Sequence, residues 1–171
     1  MALRRHPTLL GRILFESGFM SDEWRLTSSQ GRIGAFRRYP SLHMSRGIVG
    51  GVPVELKPSG WGTVVYLEDG VEVGRIVRRT WLGRRWELIG NGFGCDLVRE
   101  PLPRRWTMRI GGHPIAHIAG TAFSYNRLRI SADVSVPAWA VSLVWHVVAR
   151  PWEAAAEPRT LRPVAAPRTS R

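Results

Sequence analysis

A chain of 171 residues has room for one domain and too little left over for a second core. Apolar residues at 44% and charged residues at 22% exclude a chain that is disordered throughout, and a single cysteine, Cys95, excludes an intramolecular disulfide and fits a reducing compartment. The formal net charge of +12 sets aside a cationic partner and points to an anionic one, nucleic acid or membrane surface.

All but one of the 25 basic residues are arginine, Lys57 being the exception. The planar guanidinium grips phosphate bidentately, which suits anionic surfaces. G+C-rich coding gives the same preference, because it supplies Arg, Ala, Gly, Pro, Val and Trp together. Coding explains the choice of arginine over lysine but not the excess of basic over acidic residues.

Residues 1–22 form an N-terminal segment. Leu9, Leu10, Ile13 and Leu14 sit at helical spacing beside Arg4, Arg5 and Arg12, so a short helix is one reading of the segment. Such a basic amphipathic helix could dock on a membrane, and the plainer alternative is a helix or strand lying on its own domain. Arg12 and Glu16 interrupt the apolar run and no A-x-A site follows, which reads as non-secretory and places the protein in the cytoplasm, at most peripheral to a membrane.

From about Trp24 to Ala132 the chain reads as β. Short runs rich in Val, Ile, Trp and Leu alternate with Gly, Pro, Asn and Asp punctuation. Predicted strands are Val52–Lys57, Thr63–Glu68, Val71–Arg78, Arg85–Ile89, Cys95–Arg99, Trp106–Ile110, Ile115–Ala119 and Arg127–Ser131. Asp69-Gly70 supplies the positive φ angles of a tight two-residue hairpin, and Gly111-Gly112 is a second such turn. Asn91-Gly92 and Leu82-Gly83 mark two more. Trp86 and Leu88 share one face of their strand, with Arg85, Glu87 and Ile89 on the other. Trp106, Met108 and Ile110 likewise oppose Thr107 and Arg109. This alternation is that of antiparallel strands wrapped around a core.

Val136–Val148 then runs without a formal charge, without glycine and without alternation. Pro137 suits a first helical turn and Ser135 could cap it, giving a helix over about 136–149. A helix apolar nearly all round is buried, and this one is shorter than the roughly 20 residues a bilayer needs. Residues 153–171 form a Pro/Ala/Arg tail without apolar periodicity, expected to be disordered from about residue 157.

Many short strands followed by one apolar helix resembles the tubby C-terminal-like superfamily, which includes tubby-like proteins, phospholipid scramblases and LURP-one-related proteins. The residues that carry the resemblance are Asp69-Gly70-Val71-Glu72-Val73-Gly74-Arg75-Ile76 and the basic, aromatic run Arg78–Leu88. A second such unit is Trp106–Ile118, with Gly111-Gly112 at its turn. The resemblance covers residues 24–152 and implies a closed antiparallel β-barrel of about twelve strands around a buried hydrophobic C-terminal helix, occupying 23–152. Tubby domains bind phosphoinositides through particular basic positions, and no arginine here aligns with them. Scramblases carry a calcium-associated acidic segment near the helix. Only Asp133 stands near this one, so calcium regulation is not carried over.

No catalytic constellation emerges. His113 and His117 on one strand lie about 13 Å apart, too far to share a metal. Gly90-Asn91-Gly92-Phe93-Gly94 has GxGxG spacing where a dinucleotide loop needs GxGxxG opening a helix, and reads as a hairpin turn. Nothing flanking Cys95 would activate it as a nucleophile. The expectation is a non-enzyme without cofactor or metal.

The arginines remain. Arg75, Arg78, Arg79, Arg84 and Arg85 crowd one hairpin, and Arg104, Arg105 and Arg109 the next, with Trp81, Trp86 and Trp106 interleaved. These eight arginines are the candidate anionic-ligand site. Charge with indoles suits a lipid head-group layer or single-stranded nucleic acid. A solvated barrel exterior over core tryptophans gives the same pattern. The leading reading is a binding domain for anionic phospholipid head groups, and the alternatives are a nucleic-acid-binding domain and a scaffold for a protein partner.

Overall fold

The computed structural model describes residues 6–18, 21–121 and 125–156. Twelve antiparallel strands close into one barrel. They are β1 (Thr8–Ser17), β2 (Glu23–Ser28), β3 (Gly31–Tyr39), β4 (Met44–Val49), β5 (Val52–Pro58), β6 (Thr63–Glu68), β7 (Val71–Arg78), β8 (Arg85–Gly90), β9 (Phe93–Arg99), β10 (Arg105–Ile110), β11 (His113–Gly120) and β12 (Arg127–Pro137), and a helix α1 (Ala138–Ala156) follows. Each strand pairs with its neighbours in sequence, and β1 closes the ring between β2 and β12.

The eight strands expected from Val52 onward are all present, two with the expected bounds and six extended by one to six residues. Two expectations change. The N-terminal segment is a strand over Thr8–Ser17 where a short helix was one reading, so the barrel begins at Thr8 and not at 23. Leu9, Ile13 and Phe15 point inward by the period of two of a strand, and the pairing shifts between Leu9 and Gly11, where β12 takes four steps to two on β1 and Gly11 has φ +73°. A spacing of four puts two residues on one face of a strand as well as of a helix, so Leu9 and Ile13 fit either element. The helix also begins later than 136, because Val136 and Pro137 end β12, and it continues through Ala156 into the expected tail. Residues 157–171 lie outside the described residues.

Five hairpins at one end of the barrel are two-residue turns, tipped by Ser29-Gln30, Gly50-Gly51, Asp69-Gly70, Asn91-Gly92 and Gly111-Gly112. Asp69 and Gly70 take φ of 48° and 80°, and Gly111 and Gly112 take 56° and 83°. Positive φ at both central positions gives the turn whose twist matches the strands. The connections at the opposite end are longer.

Helix α1 threads the barrel. Every residue from Ala138 to Ala149 is buried, which a helix lying on an outer wall could not achieve. Near its start, Trp139 packs edge-on to Phe93 of β9, ring centroids 6.0 Å apart. The same indole lies over Gly74 of β7 and Gly90 of β8, where a Cβ would meet it at 2.5 and 2.9 Å. Two turns later Trp145 stacks on Phe15 of β1 at 5.2 Å, meets Trp24 of β2 at 5.5 Å and Phe36 of β3 at 4.9 Å. Strands β7–β9 and β1–β3 are opposite walls of the ring, so the helix fills the lumen between them.

The helix entry is fastened by the N-terminal segment. The Pro7 carbonyl accepts the first helical N–H, from Ala138, at 2.8 Å, which satisfies one of the donors a helix start leaves open. Beside it His6 bridges Glu68, at 3.0 Å through Nδ1, and Asn91, at 2.9 Å through Nε2. Inside the barrel, Ser45 Oγ lies 2.9 Å from Nδ1 of the wholly buried His146.

Candidate anionic-ligand surface

The alternation that buries Trp86 and Leu88 in part or whole turns Arg85 and Ile89 outward, as expected. Trp106 and Met108 also face the core. Ile110 does not join them in the interior: at the strand end it is 44% exposed. The pairing there shifts by one residue, so that Ile115 and Ala116 are both buried on the partner strand.

The eight candidate arginines divide into two groups. Arg75, Arg79, Arg85 and Arg109 are each engaged by a carboxylate on the outer wall. Arg75 pairs with Glu72 at 2.6 Å, Arg79 with Glu87 at 2.6 Å from Nε, Arg85 with Asp96 at 2.9 Å and Arg109 with Glu100 at 3.4 Å. Their charge is locally neutralised, although such exposed pairs contribute little to stability. Glu55, which the candidate site does not include, shows the same neutralisation. Burial acts to raise its pKa, and the hydrogen bonds and charges of Arg46 and Lys57 outweigh that, holding it below the usual carboxylate range.

The other four, Arg78, Arg84, Arg104 and Arg105, lie at the end of the barrel that carries the longer connections. Arg78 sits with its guanidinium 5.7 Å from the ring of Trp61 and 6.0 Å from that of Trp86. It donates from Nε to the Thr80 carbonyl at 3.1 Å and from a terminal nitrogen to the Trp81 carbonyl. Arg104 lies 4.1 Å from the Tyr125 ring and donates to the Thr121 carbonyl at 2.6 Å. Arg84 and Arg105 are exposed and face no carboxylate among the described residues, and Arg99, next to Arg84 through its backbone, is in the same position. Five further arginines without such a partner are on β1, β2, β3 and β12, Arg25, Arg37 and Arg129 toward the same end of the barrel and Arg12 and Arg32 farther from it.

The β7–β8 connection, residues 79–84, is tightly built. Thr80 Oγ1 accepts the backbone N–H of Arg84 at 2.9 Å and of Arg85 at 3.1 Å, and Gly83 N donates to the Thr80 carbonyl at 2.9 Å. Trp86 Nε1 donates to the Gly83 carbonyl at 3.0 Å, and Gly83 takes φ +64°, which a side chain would strain. This scaffold holds Trp81 outward at 79% exposure, stacked on Trp61, itself 71% exposed, with centroids 6.0 Å apart. Trp61, Arg78 and Trp81 line a shallow cleft of about 240 Å³. Of the three indoles read as interleaved with arginine, only Trp81 is fully presented. Trp86 is half-buried under Arg78, and Trp106 belongs to the core.

Trp61 escaped the reading of the sequence. Its signal was there, an indole flanked by Gly60 and Gly62 where a core tryptophan would stand inside an alternating strand.

The residues weighed for chemistry fall as follows. Cys95 is buried, and its thiol is pushed up to about 12 by that burial and by the neighbouring Asp96 charge, so near neutral pH it is a protonated thiol and a poor nucleophile. The glycine-rich run 90–94 makes the β8–β9 hairpin. His117 Nδ1 lies 3.4 Å from Thr107 Oγ1, and His113 is exposed at the start of β11. Among the described residues no helix is long and apolar enough to cross a membrane.

No protein-family model, curated protein or solved structure matches the chain.

Proposed function

We propose that this protein is a non-catalytic binding domain that engages anionic phospholipid head groups with the long-loop end of its barrel. One observation carries the reading: exposed arginines without a carboxylate partner, Arg84, Arg99 and Arg105, share one end of the barrel with indoles held out in solvent, Trp61 and Trp81. Free guanidinium groups supply attraction to phosphate, and indoles suit the interfacial layer just below it. The proposed site is therefore narrower than the eight arginines of the two hairpins, since four of those are already engaged by carboxylates. Membership of the tubby C-terminal-like superfamily is part of the same proposal. Its support is the architecture, twelve strands closed around one C-terminal helix, and architecture alone does not fix function.

The test is co-sedimentation with phosphatidylcholine vesicles with and without phosphatidylserine, beside fluorescence anisotropy with single- and double-stranded DNA. Wild type is expected in the pellet only with the anionic vesicles. The triple variant Arg84→Ser, Arg99→Ser, Arg105→Ser is expected to stay in the supernatant, with an unchanged unfolding midpoint. Binding to DNA with no binding to anionic vesicles at about 0.15 M salt overturns the proposal in favour of nucleic acid. Binding to neither moves the assignment to a protein partner.

A further inference from the structure

We infer that the same end carries a built apolar tip, Leu42, Trp61, Trp81, Leu82 and Leu102, that inserts into a lipid bilayer below its head groups. This rests on the head-group reading above and adds the mode of binding: penetration as well as charge. In an antiparallel meander all connections from an odd to the following even strand emerge at one end. Leu42 lies between β3 and β4, Trp61 between β5 and β6, Trp81 and Leu82 between β7 and β8, and Leu102 between β9 and β10. Four neighbouring connections thus each present a large apolar side chain, 60%, 71%, 79%, 66% and 56% exposed in that order of residues.

Toward the opposite end the exposed large apolar side chains, Leu10, Ile48, Val71, Ile89, Ile110 and Val134, lie within strands and not on the connections. The five described hairpin turns of that end are tipped by serine, glutamine, asparagine, aspartate and glycine, with no large apolar residue among them. Apolar side chains on a strand wall need no explanation, but four successive connections that each project one beyond the strand ends do. Nor are these loose loops. Arg78, Thr80, Gly83 and Trp86 spend side-chain and backbone hydrogen bonds fixing the connection that displays Trp81 and Leu82. Ordering a loop around exposed apolar groups is favourable for binding, because the ordering cost is met before contact.

The layering identifies the occupant. Arg99 ends β9, Arg105 begins β10 and Arg84 immediately precedes β8, so all three stand nearer the barrel than the loop tips. Tips of Leu and Trp backed by a collar of arginine match a bilayer, whose apolar interior lies behind a phosphate layer. A nucleic acid offers bases that could stack on an indole, but it offers nothing to Leu42, Leu82 and Leu102. Trp61 and Trp81 also already cover part of each other's face.

The test uses Trp81→Ala with Leu82→Ser and Leu102→Ser, all exposed, so that a thermal unfolding midpoint equal to wild type verifies the fold. The readouts are affinity for vesicles of phosphatidylcholine with phosphatidylserine, retention on a heparin column, and quenching of tryptophan fluorescence by vesicles containing shallow nitroxide-labelled lipid. The tip variant is expected to lose about tenfold or more in vesicle affinity with heparin retention unchanged, and wild type to be quenched. The triple arginine variant is expected to lose both vesicle binding and heparin retention. Equal vesicle affinity of tip variant and wild type, or no quenching of bound wild type, overturns insertion and leaves head-group binding standing. Absence of wild-type binding to the anionic vesicles overturns the head-group reading itself, and insertion with it.

Discussion

Replacing Gly74 by alanine tests whether α1 sits in the lumen with its indole against β7. A Cβ built at Gly74 falls 2.5 Å from Cζ3 and 2.6 Å from Cε3 of Trp139. Carbon atoms in contact rest about 3.5–4.0 Å apart, so the ring must retreat by about 1 Å. It has little room to do so, because Phe93 meets its edge and the helix that bears it is buried on every side. Overpacking of this kind costs about 1–3 kcal/mol. Loss of glycine's freedom in the unfolded chain returns about 0.4–1 kcal/mol, leaving a net destabilisation of about 1–2 kcal/mol. The assay is urea unfolding, comparing midpoints at constant slope. In a Trp139→Phe background, which removes the atoms Gly74→Ala strikes, the cost should shrink by about 1 kcal/mol, a coupling readable from a double-mutant cycle. Gly90→Ala supplies the contrast, since its nearest neighbour is the Val73 carbonyl at 2.5 Å. That clash involves backbone and should persist in the Trp139→Phe background. A neutral or stabilising Gly74→Ala, with no coupling to position 139, would refute the threaded helix.

Cys95 makes stability pH-dependent in alkali. Its folded pKa lies above that of a free thiol, so between about pH 9 and 12 the unfolded chain has released a proton that the folded chain keeps. Stability contributed by the protonated thiol is thus complete below about pH 9 and is lost as pH rises, with a slope of up to about 1.4 kcal/mol per pH unit. Urea midpoints at pH 8, 9 and 10, in wild type and Cys95→Ala, check this, and an equal slope in both excludes Cys95 as the source. Ser45→Ala removes a hydrogen bond from the buried imidazole of His146 and should cost about 1–3 kcal/mol in the same unfolding assay. An unchanged midpoint would show that the serine contributes nothing there.

The part of the fold that could be read directly was the part most clearly punctuated by turns. From Val52 onward short apolar runs stand between turns whose glycines need positive φ, and strands such as Thr63–Glu68 and Val71–Arg78 have the expected bounds, although alternation lapses at Val64, Val65 and Tyr66 and at Trp106, Thr107 and Met108, which are all buried. Between Trp24 and Val52 the β character was clear but individual strands were not. There the inward positions include Gly34, against Val49, Gly47, against the Phe36 ring, and the charged Arg38, so the apolar pattern lapses where the lumen is full. In β1 the spacing of four between Leu9 and Ile13 fits a strand face and a helix face alike, so periodicity did not decide between them. The candidate site was less legible for a different reason. Ion pairing across strands decides which arginines are available, and a single strand does not reveal that Asp96 answers Arg85 or that Glu87 answers Arg79. Leu42, Trp61 and Leu102 each look like an isolated apolar residue until the topology puts their loops at one end.

The manner of closure also sets an order of events for the chain as it is made. Leu9 pairs with Val136 and Ile13 with Ile130, so the seam joins residues near the two ends of the barrel sequence. The lumen is filled by α1, which follows the last strand. An emerging chain therefore builds hairpins one after another with no partner for β1 and nothing inside the curl. Long-range pairings of this kind delay folding and leave strand edges unpaired while they wait. The first strand and the helix fasten together through Pro7 and Ala138, which makes emergence of α1 from the ribosome the step that permits cooperative closure.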